Sequence, residues 1–269
     1  VGFFAHGRLA VHTLHDVYLT FSRGNVSYLI ISHLRCLSEP GNCVLCFRAP
    51  SGGILCYGGF GMVRVKICGL TCEEDVHAAV GYGAHAVGFV FEPSSSRYVG
   101  DRADLIALLR SLPPFVVRVA VFGSLRDLPA HLWEEVDAVQ FVSGEGDVVL
   151  PLHLRRILAV RLRSEQDVRQ ALHRQREVDA LLVDAYHPQK MGGTGEIANW
   201  RLARLLREEA TKPIILAGGL TLENVCEAIA QVQPFAVDVS SGVESAPGKK
   251  DHFKMKGFIA NVQRFADDA

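Results

Sequence analysis

From Met62 onward the chain alternates short runs of Val, Ile, Leu and Phe with longer amphipathic stretches. The runs predict strands over 63–67, 86–91, 115–121, 137–141, 156–161, 180–184, 213–217 and 235–239. Most lack an alternating polar face, the pattern of strands covered on both sides. The stretches between them predict helices over 72–82, 101–111, 165–175, 198–209, 221–231 and 250–264, with weaker helical patterns over 125–133 and 146–154. Thr71 ahead of Cys72-Glu73-Glu74 and Thr221 ahead of Leu222-Glu223-Asn224 read as helix-start signals. Strand and helix alternating in this way over residues 62–269 predict an α/β fold, a compact (β/α)8 TIM barrel at the short end of its size range. A doubly wound open sheet is disfavoured, because no Gly-x-Gly-x-x-Gly follows the first strand.

Residues 1–61 differ in character. They hold Arg8, Arg23, Arg35 and Arg48 but no lysine, with Asp16 and Glu39 as acids, and their glycines, serines and histidines follow no helical or strand period. The chain begins at Val1 and its first methionine is Met62, at the start of the first predicted strand. Residues 1–61 therefore read as a poorly structured N-terminal extension, disordered or translated from upstream, and residues 62–269 as the catalytic barrel. A zinc site built from Cys36, Cys43, Cys46, Cys56 and His33 is the rival reading. Cys43 and Cys46 have knuckle spacing, but Cys36 and Cys56 form no second pair at ligand distance.

Composition narrows the classes of partner. Apolar residues at 49% and charged residues at 21% are those of a globular domain, and a net charge of −1 offers nothing to nucleic acid or to an anionic membrane. No apolar run approaches the roughly 18 residues that span a bilayer. The N-terminus shows no secretory pattern, and an odd count of seven cysteines suits reduced thiols, so a cytoplasmic location is expected.

In a (β/α)8 barrel the chemistry lies at the C-terminal ends of the strands. That rule selects Cys68 at the end of the first strand, Arg97 after the second and Asp184 at the end of the sixth. It also selects Gly218-Gly219 after the seventh, and Asp238 with Ser240-Ser241-Gly242 at the eighth. Taken singly, each has an ordinary structural role. A strand-end cysteine is usually a small core residue, an aspartate after a strand a turn residue, an arginine a solvated charge and a glycine pair a tight turn.

Together the segments resemble the phosphoribosylanthranilate isomerases of tryptophan biosynthesis. The resemblance runs through Lys66-Ile67-Cys68-Gly69-Leu70-Thr71, Gly88-Phe89-Val90-Phe91 and Ser94-Ser95-Ser96-Arg97-Tyr98. It continues through Leu182-Val183-Asp184, Gly192-Gly193-Thr194-Gly195, Leu216-Ala217-Gly218-Gly219-Leu220 and Glu223-Asn224-Val225. The run from Pro234 to Glu244 and then Pro247-Gly248-Lys249-Lys250-Asp251 complete it, and it leaves residues 1–61 untouched. What it implies is an Amadori rearrangement of an aminoaldose phosphate to an aminoketose phosphate without metal or cofactor. Cys68 would be the general base and Asp184 the general acid, with Arg97 clamping the anthranilate carboxylate.

The same resemblance implies a substrate phosphate on the backbone N–H groups of Gly218, Gly219, Ser241 and Gly242, beside Ser240, and Asp238 at the barrel mouth. A short helix after the last strand would add its positive end. The Gly192–Gly195 loop would be a lid, and the protein a monomer or homodimer. Lys66, two residues before Cys68, should share its interior face and favour the thiolate. Burial at a strand end would raise Asp184.

One departure stands out: the family continues Val-Gln with Leu-His-Gly, whereas here Val139-Gln140 leads into Phe141-Val142-Ser143-Gly144-Glu145. Two other readings remain. A histidine-pathway aminoaldose isomerase is opposed by Cys68, since that relative uses an aspartate there. A degenerate barrel kept as a binding module is opposed by the completeness of the site.

Overall fold

The structure, a computed structural model, describes residues 17–23, 26–32, 35–39, 42–48, 54–57, 62–124, 129–143, 150–185 and 198–268. Contacts divide the chain between Gly61 and Met62. In the first unit, β1 (Val17–Arg23) pairs antiparallel with β2 (Val26–Ser32). A separate antiparallel sheet joins β3 (Arg35–Glu39), β4 (Asn42–Arg48) and β5 (Ile54–Tyr57). These strands, each of seven residues or fewer, fall where the sequence offered no clear period. The backbone register sets Cys46 opposite Cys56. The side chains considered for zinc lie outside the described residues.

In the second unit, eight strands close a barrel in chain order: β6 (Arg64–Cys68), β7 (Ala86–Val90), β8 (Val117–Ser124), β9 (Ala138–Ser143), β10 (Arg155–Arg161), β11 (Ala180–Asp184), β12 (Ile214–Leu216) and β13 (Ala236–Val239). Neighbouring strands are parallel throughout, and the ring closes where β13 meets β6, with Asp238 opposite Lys66. Each predicted strand is present, its ends displaced by a few residues. The helices are α1 (Glu73–Gly81), α2 (Leu105–Arg110), α3 (Glu165–Arg174), α4 (Trp200–Glu209), α5 (Val225–Val232) and α6 (His252–Asp268).

The apolar core has two layers, and strand alternation assigns residues to them. On β11, Ala180 and Leu182 belong to the barrel interior, while Leu181 and Val183 face the helices. The interior is lined by small side chains such as Ala138, Ala159, Ala217 and Ala236, and the outer layer by Ile67, Phe89, Phe122 and Leu158. Apart from Lys66, Gln140 and Asp238, the buried barrel-strand residues on both faces are apolar, which is why little polar alternation is visible in the sequence. On β6, Val65 and Ile67 face outward, so Lys66 and Cys68 point inward.

Helix starts depart from the cap signals. The Thr71 hydroxyl donates to the Gly248 carbonyl at 2.5 Å, and Cys72 stands at the α1 N-cap without a side-chain bond. Thr221 belongs to a turn: its N–H donates to Asn224 Oδ1 at 2.8 Å, its hydroxyl accepts from Glu223 N–H at 3.2 Å, and α5 begins only at Val225. Of the weaker helical patterns, 125–133 keeps a 3-10 turn, Ala130–Leu132, and the described part of 146–154 has no helix. After β13 the chain makes a 3-10 turn, Ser241–Val243, then a hairpin of β14 (Glu244–Ala246) and β15 (Lys249–Lys250).

Candidate active site

A cavity of about 650 Å³ opens at the C-terminal ends of the barrel strands. Cys68 from β6, Asp184 from β11 and Arg97 from the loop after β7 all line it. So do Gly218 and Gly219 after β12, and Asp238 and the Ser240–Gly242 segment at the end of β13. The structure therefore brings every candidate named from sequence to one place. The Gly192–Gly195 lid lies outside the described residues.

The floor of the cavity is a buried polar layer. Lys66, 3% exposed, donates from Nζ to Asp238 Oδ1 at 2.9 Å and to Gln140 Oε1 at 3.0 Å. Burial works against the ammonium, but the Asp238 carboxylate and the nearby thiol outweigh it and hold Lys66 above its ordinary value. A buried ion pair of this kind is tolerable where further hydrogen bonds accompany it, and Gln140 supplies one to the ammonium.

Cys68 sits one step above Lys66 on the same face. Burial pushes its thiol up, Lys66 pulls it down, Asp238 adds to the rise, and the balance stays above the ordinary value. Lys66 thus acts in the direction expected of it without overcoming desolvation. Gly88, opposite Cys68 in the β6–β7 register, makes room for both side chains. A Cβ there would meet Cys68 Sγ at 2.9 Å and Lys66 Nζ at 3.1 Å.

Asp184 is raised, as expected, and burial is the main cause. The Ala185 N–H, donating to Asp184 Oδ1 at 2.8 Å, works against the rise, as does the charge of Arg161. Arg161 is the residue opposite Asp184 in the β10–β11 register, and it too lines the cavity. Sequence reasoning placed Arg161 at a strand end and assigned it nothing. The inward Ile157 and Ala159 before it carried the signal, because alternation then turns Arg161 inward.

Arg97 is held by a partner the sequence did not reveal. Its Nε donates to Glu244 Oε1 at 2.7 Å and its Nη2 to Glu244 Oε2 at 2.6 Å. Lys250 Nζ completes the cluster, donating to Glu244 Oε1 at 2.9 Å, to the Cys68 carbonyl at 2.7 Å and to the Ser240 carbonyl at 3.2 Å. Burial opposes ionisation of Glu244, yet Arg97 and Lys250 hold it below its ordinary value. Burial also pulls Lys250 down, with Glu244 opposing.

The glycine loops are shaped by close backbone approach. Gly218 and Gly219 have φ of 79° and 66°, a region that strongly favours glycine. A Cβ on Gly242 would meet the Leu220 carbonyl oxygen at 1.9 Å, so the 3-10 turn after β13 packs on the loop after β12. Asn224 Nδ2 donates to the Gly219 carbonyl at 2.9 Å and fixes that loop from behind. Beside the loops, Ser240 Oγ is buried without a hydrogen-bond partner. Val142 also lines the cavity, an apolar side chain where the family pattern has histidine.

Residues 65–261 match the family model described as N-(5'-phosphoribosyl)anthranilate (PRA) isomerase. A relative from Chromohalobacter salexigens named N-(5'-phosphoribosyl)anthranilate isomerase is 44% identical over 201 residues, covering 74% of this chain and 93% of its own. The crystal structure of phosphoribosyl anthranilate isomerase from Thermotoga maritima is 41% identical, with a TM-score of 0.63 over 76% of this chain and all of that one. A solved isomerase in complex with reduced 1-(o-carboxyphenylamino)-1-deoxyribulose 5-phosphate is 40% identical, with a TM-score of 0.61 over 76% of this chain and 100% of its own. The chain therefore belongs to the N-(5'-phosphoribosyl)anthranilate isomerase family, and with it to the isomerases of tryptophan biosynthesis.

Proposed function

We propose that the barrel converts N-(5'-phosphoribosyl)anthranilate to 1-(2-carboxyphenylamino)-1-deoxyribulose 5-phosphate with Asp184 as general acid and Cys68 as general base. The observation that carries the reading is the meeting of thiol and carboxyl in one cavity, facing a glycine-lined corner and a guanidinium. The substrate phosphate sits on the Gly218–Gly219 and Ser241–Gly242 backbone. The aryl carboxylate lies toward Arg97. This spacing stretches the sugar across the barrel mouth between β6 and β11.

Asp184 gives its proton to the furanose ring oxygen as the C1'–O bond breaks, and the aniline nitrogen lone pair closes a C=N bond. The resulting iminium withdraws electrons from C2'. Cys68 thiolate then takes the C2' proton, and the C–H pair becomes the C1'=C2' bond of an enolamine. The Asp184 carboxylate takes the 2'-hydroxyl proton and the Cys68 thiol returns its proton to C1', which completes the ketone and restores both groups. Each acid–base step of this type contributes about 10²–10⁴ in rate. A cationic iminium beside the thiol also favours the thiolate, which offsets the desolvation that keeps Cys68 protonated in the empty site.

The test is a coupled assay of the full chain with freshly generated phosphoribosylanthranilate, alongside Cys68→Ser and Asp184→Asn. Turnover by the wild type with collapse in both variants supports the assignment. A folded wild type that leaves the substrate untouched rejects it.

A further inference from the structure

The bidentate pair between Arg97 and Glu244 occupies one specific edge of the guanidinium. A guanidinium has five N–H donors, and Glu244 takes the Nε and Nη2 side. What remains is the end-on edge formed by Nη1 and the second proton of Nη2. Arg97 lines the cavity with its side chain 13% exposed. The shaft is pinned as well: Gly69 has φ of 71°, and a Cβ on it would come within 2.4 Å of Arg97 Cδ.

Charge decides whether that tip attracts an anion. An isolated Arg–Glu pair is neutral overall and has little long-range pull on a carboxylate. Here the Glu244 side chain is shared with Lys250, whose side chain is fully buried. Lys250 Nζ faces three acceptors, the Cys68 and Ser240 carbonyls and Glu244 Oε1, which matches the three donors of an ammonium and not the two of an amine. Two cations around one carboxylate leave the cluster with one net positive charge beside the Arg97 edge that Glu244 does not take.

Resting on the proposed isomerase reaction, we infer that Glu244 and Lys250 are positioning residues that turn Arg97 into an end-on receptor for the aryl carboxylate of the substrate. Glu244 fixes the orientation of the guanidinium, and Lys250 restores the charge that Glu244 would otherwise cancel. By binding the Cys68 and Ser240 carbonyls, Lys250 also ties this receptor to the strand ends that carry the thiol and the phosphate cradle. The cluster therefore sets substrate selectivity through Arg97 without touching the reacting atoms.

Two substrates separate this role from a structural one: phosphoribosylanthranilate and its counterpart made from aniline, which lacks the carboxylate. In full-length Lys250→Met, the ratio of kcat/KM between the two should fall by about tenfold or more, mainly through KM for the carboxylated substrate; in Glu244→Gln, where lost orientation works against an added net charge, it should fall by less. Equal losses on both substrates, or an unchanged ratio, overturn the inference. A mutation-free measurement covers variants that do not fold: nitrogen-15 NMR of the wild-type arginine side chains during titration with anthranilate. Protection of the Arg97 Nη protons with an unmoved Nε–H supports end-on docking, and displacement of the Nε–H signal overturns it. Anthranilate docking in a wild type that turns over neither substrate would reject the isomerase reading while leaving the carboxylate receptor standing.

Discussion

Lys66 shares the inward face of β6 with Cys68, but its ammonium is directed at Asp238, 2.9 Å away on the last strand of the barrel. The pair joins the first and last strands at the seam where the ring closes. Replacing Lys66 by Met leaves the Asp238 carboxylate buried without its counter-charge, a change expected to cost about 3–5 kcal/mol. It also removes the charge that pulls the Cys68 thiol down, so the thiol should titrate at higher pH. Chemical denaturation and thiol ultraviolet absorbance check the two effects. Adding Asp238→Asn to Lys66→Met should recover part of the stability, and a double variant no more stable than the single one would dissociate the cost from the stranded carboxylate.

Because burial raises both Cys68 and Asp184, the proposed acid–base pair holds one proton over a broad pH range. The active arrangement, thiolate with carboxylic acid, has the same proton count as the commoner thiol with carboxylate. The kcat/KM profile should therefore be flat between the two values, falling on the acid side with Asp184 and on the alkaline side with Cys68. The alkaline limb should begin above 9.0, the thiol's ordinary value, since Cys68 is raised. A simple thiolate requirement predicts the opposite, a rate that climbs as the thiol ionises. Residual activity of Asp184→Asn, freed of the acid, should show that climb.

The barrel was legible because eight apolar runs at regular spacing leave few other ways to cover both faces of each strand. Cys68, Asp184 and the glycine pairs were legible because the chemistry of such barrels gathers at strand ends. Alternation tells which face a side chain takes, but not which distant residue it meets. Lys66 finds Asp238 across 172 positions and Arg97 finds Glu244 across 147, and neither pairing leaves a local trace. Thr71 shows the same limit from the other side. Its cap signal is sound locally, yet the Gly248 carbonyl is the acceptor it meets.

Gly88 has no side chain to give function, and its absence of one is what the site uses. A Cβ would lie 2.9 Å from Cys68 Sγ, closer than real contacts allow, and a tight 3.1 Å from Lys66 Cε and Nζ. Gly88→Ala should therefore push the thiol away from C2' while leaving the phosphate loops and Arg97 in place. The expected result is a fall in kcat of about 10²-fold with KM changed little, the scale of a misplacement near 1 Å. A rise in KM with kcat preserved would mean that the added methyl disturbs binding and spares the base.

Asp184 carries a conflict between stability and function that its amide replacement should expose. Its carboxyl is raised above 3.8 by burial, against the Ala185 N–H and the charge of Arg161. Below pH 3.8 the folded and unfolded chains both hold the proton, and the group makes no difference to stability. As pH rises through the folded value, the unfolded chain has already ionised while the folded one resists, so stability is lost. Asp184→Asn does not titrate, and its amide oxygen keeps the acceptor for Ala185 N–H. The variant should match the wild type in acid and be the more stable of the two at neutral pH. Thermal melts at pH 3.5 and pH 7 measure the gap. The same melts on Arg161→Met should show a wider loss between those pH values, since removing Arg161 raises Asp184 further. Parallel behaviour of all three proteins across the range would mean that the cavity solvates this carboxylate as well as water does.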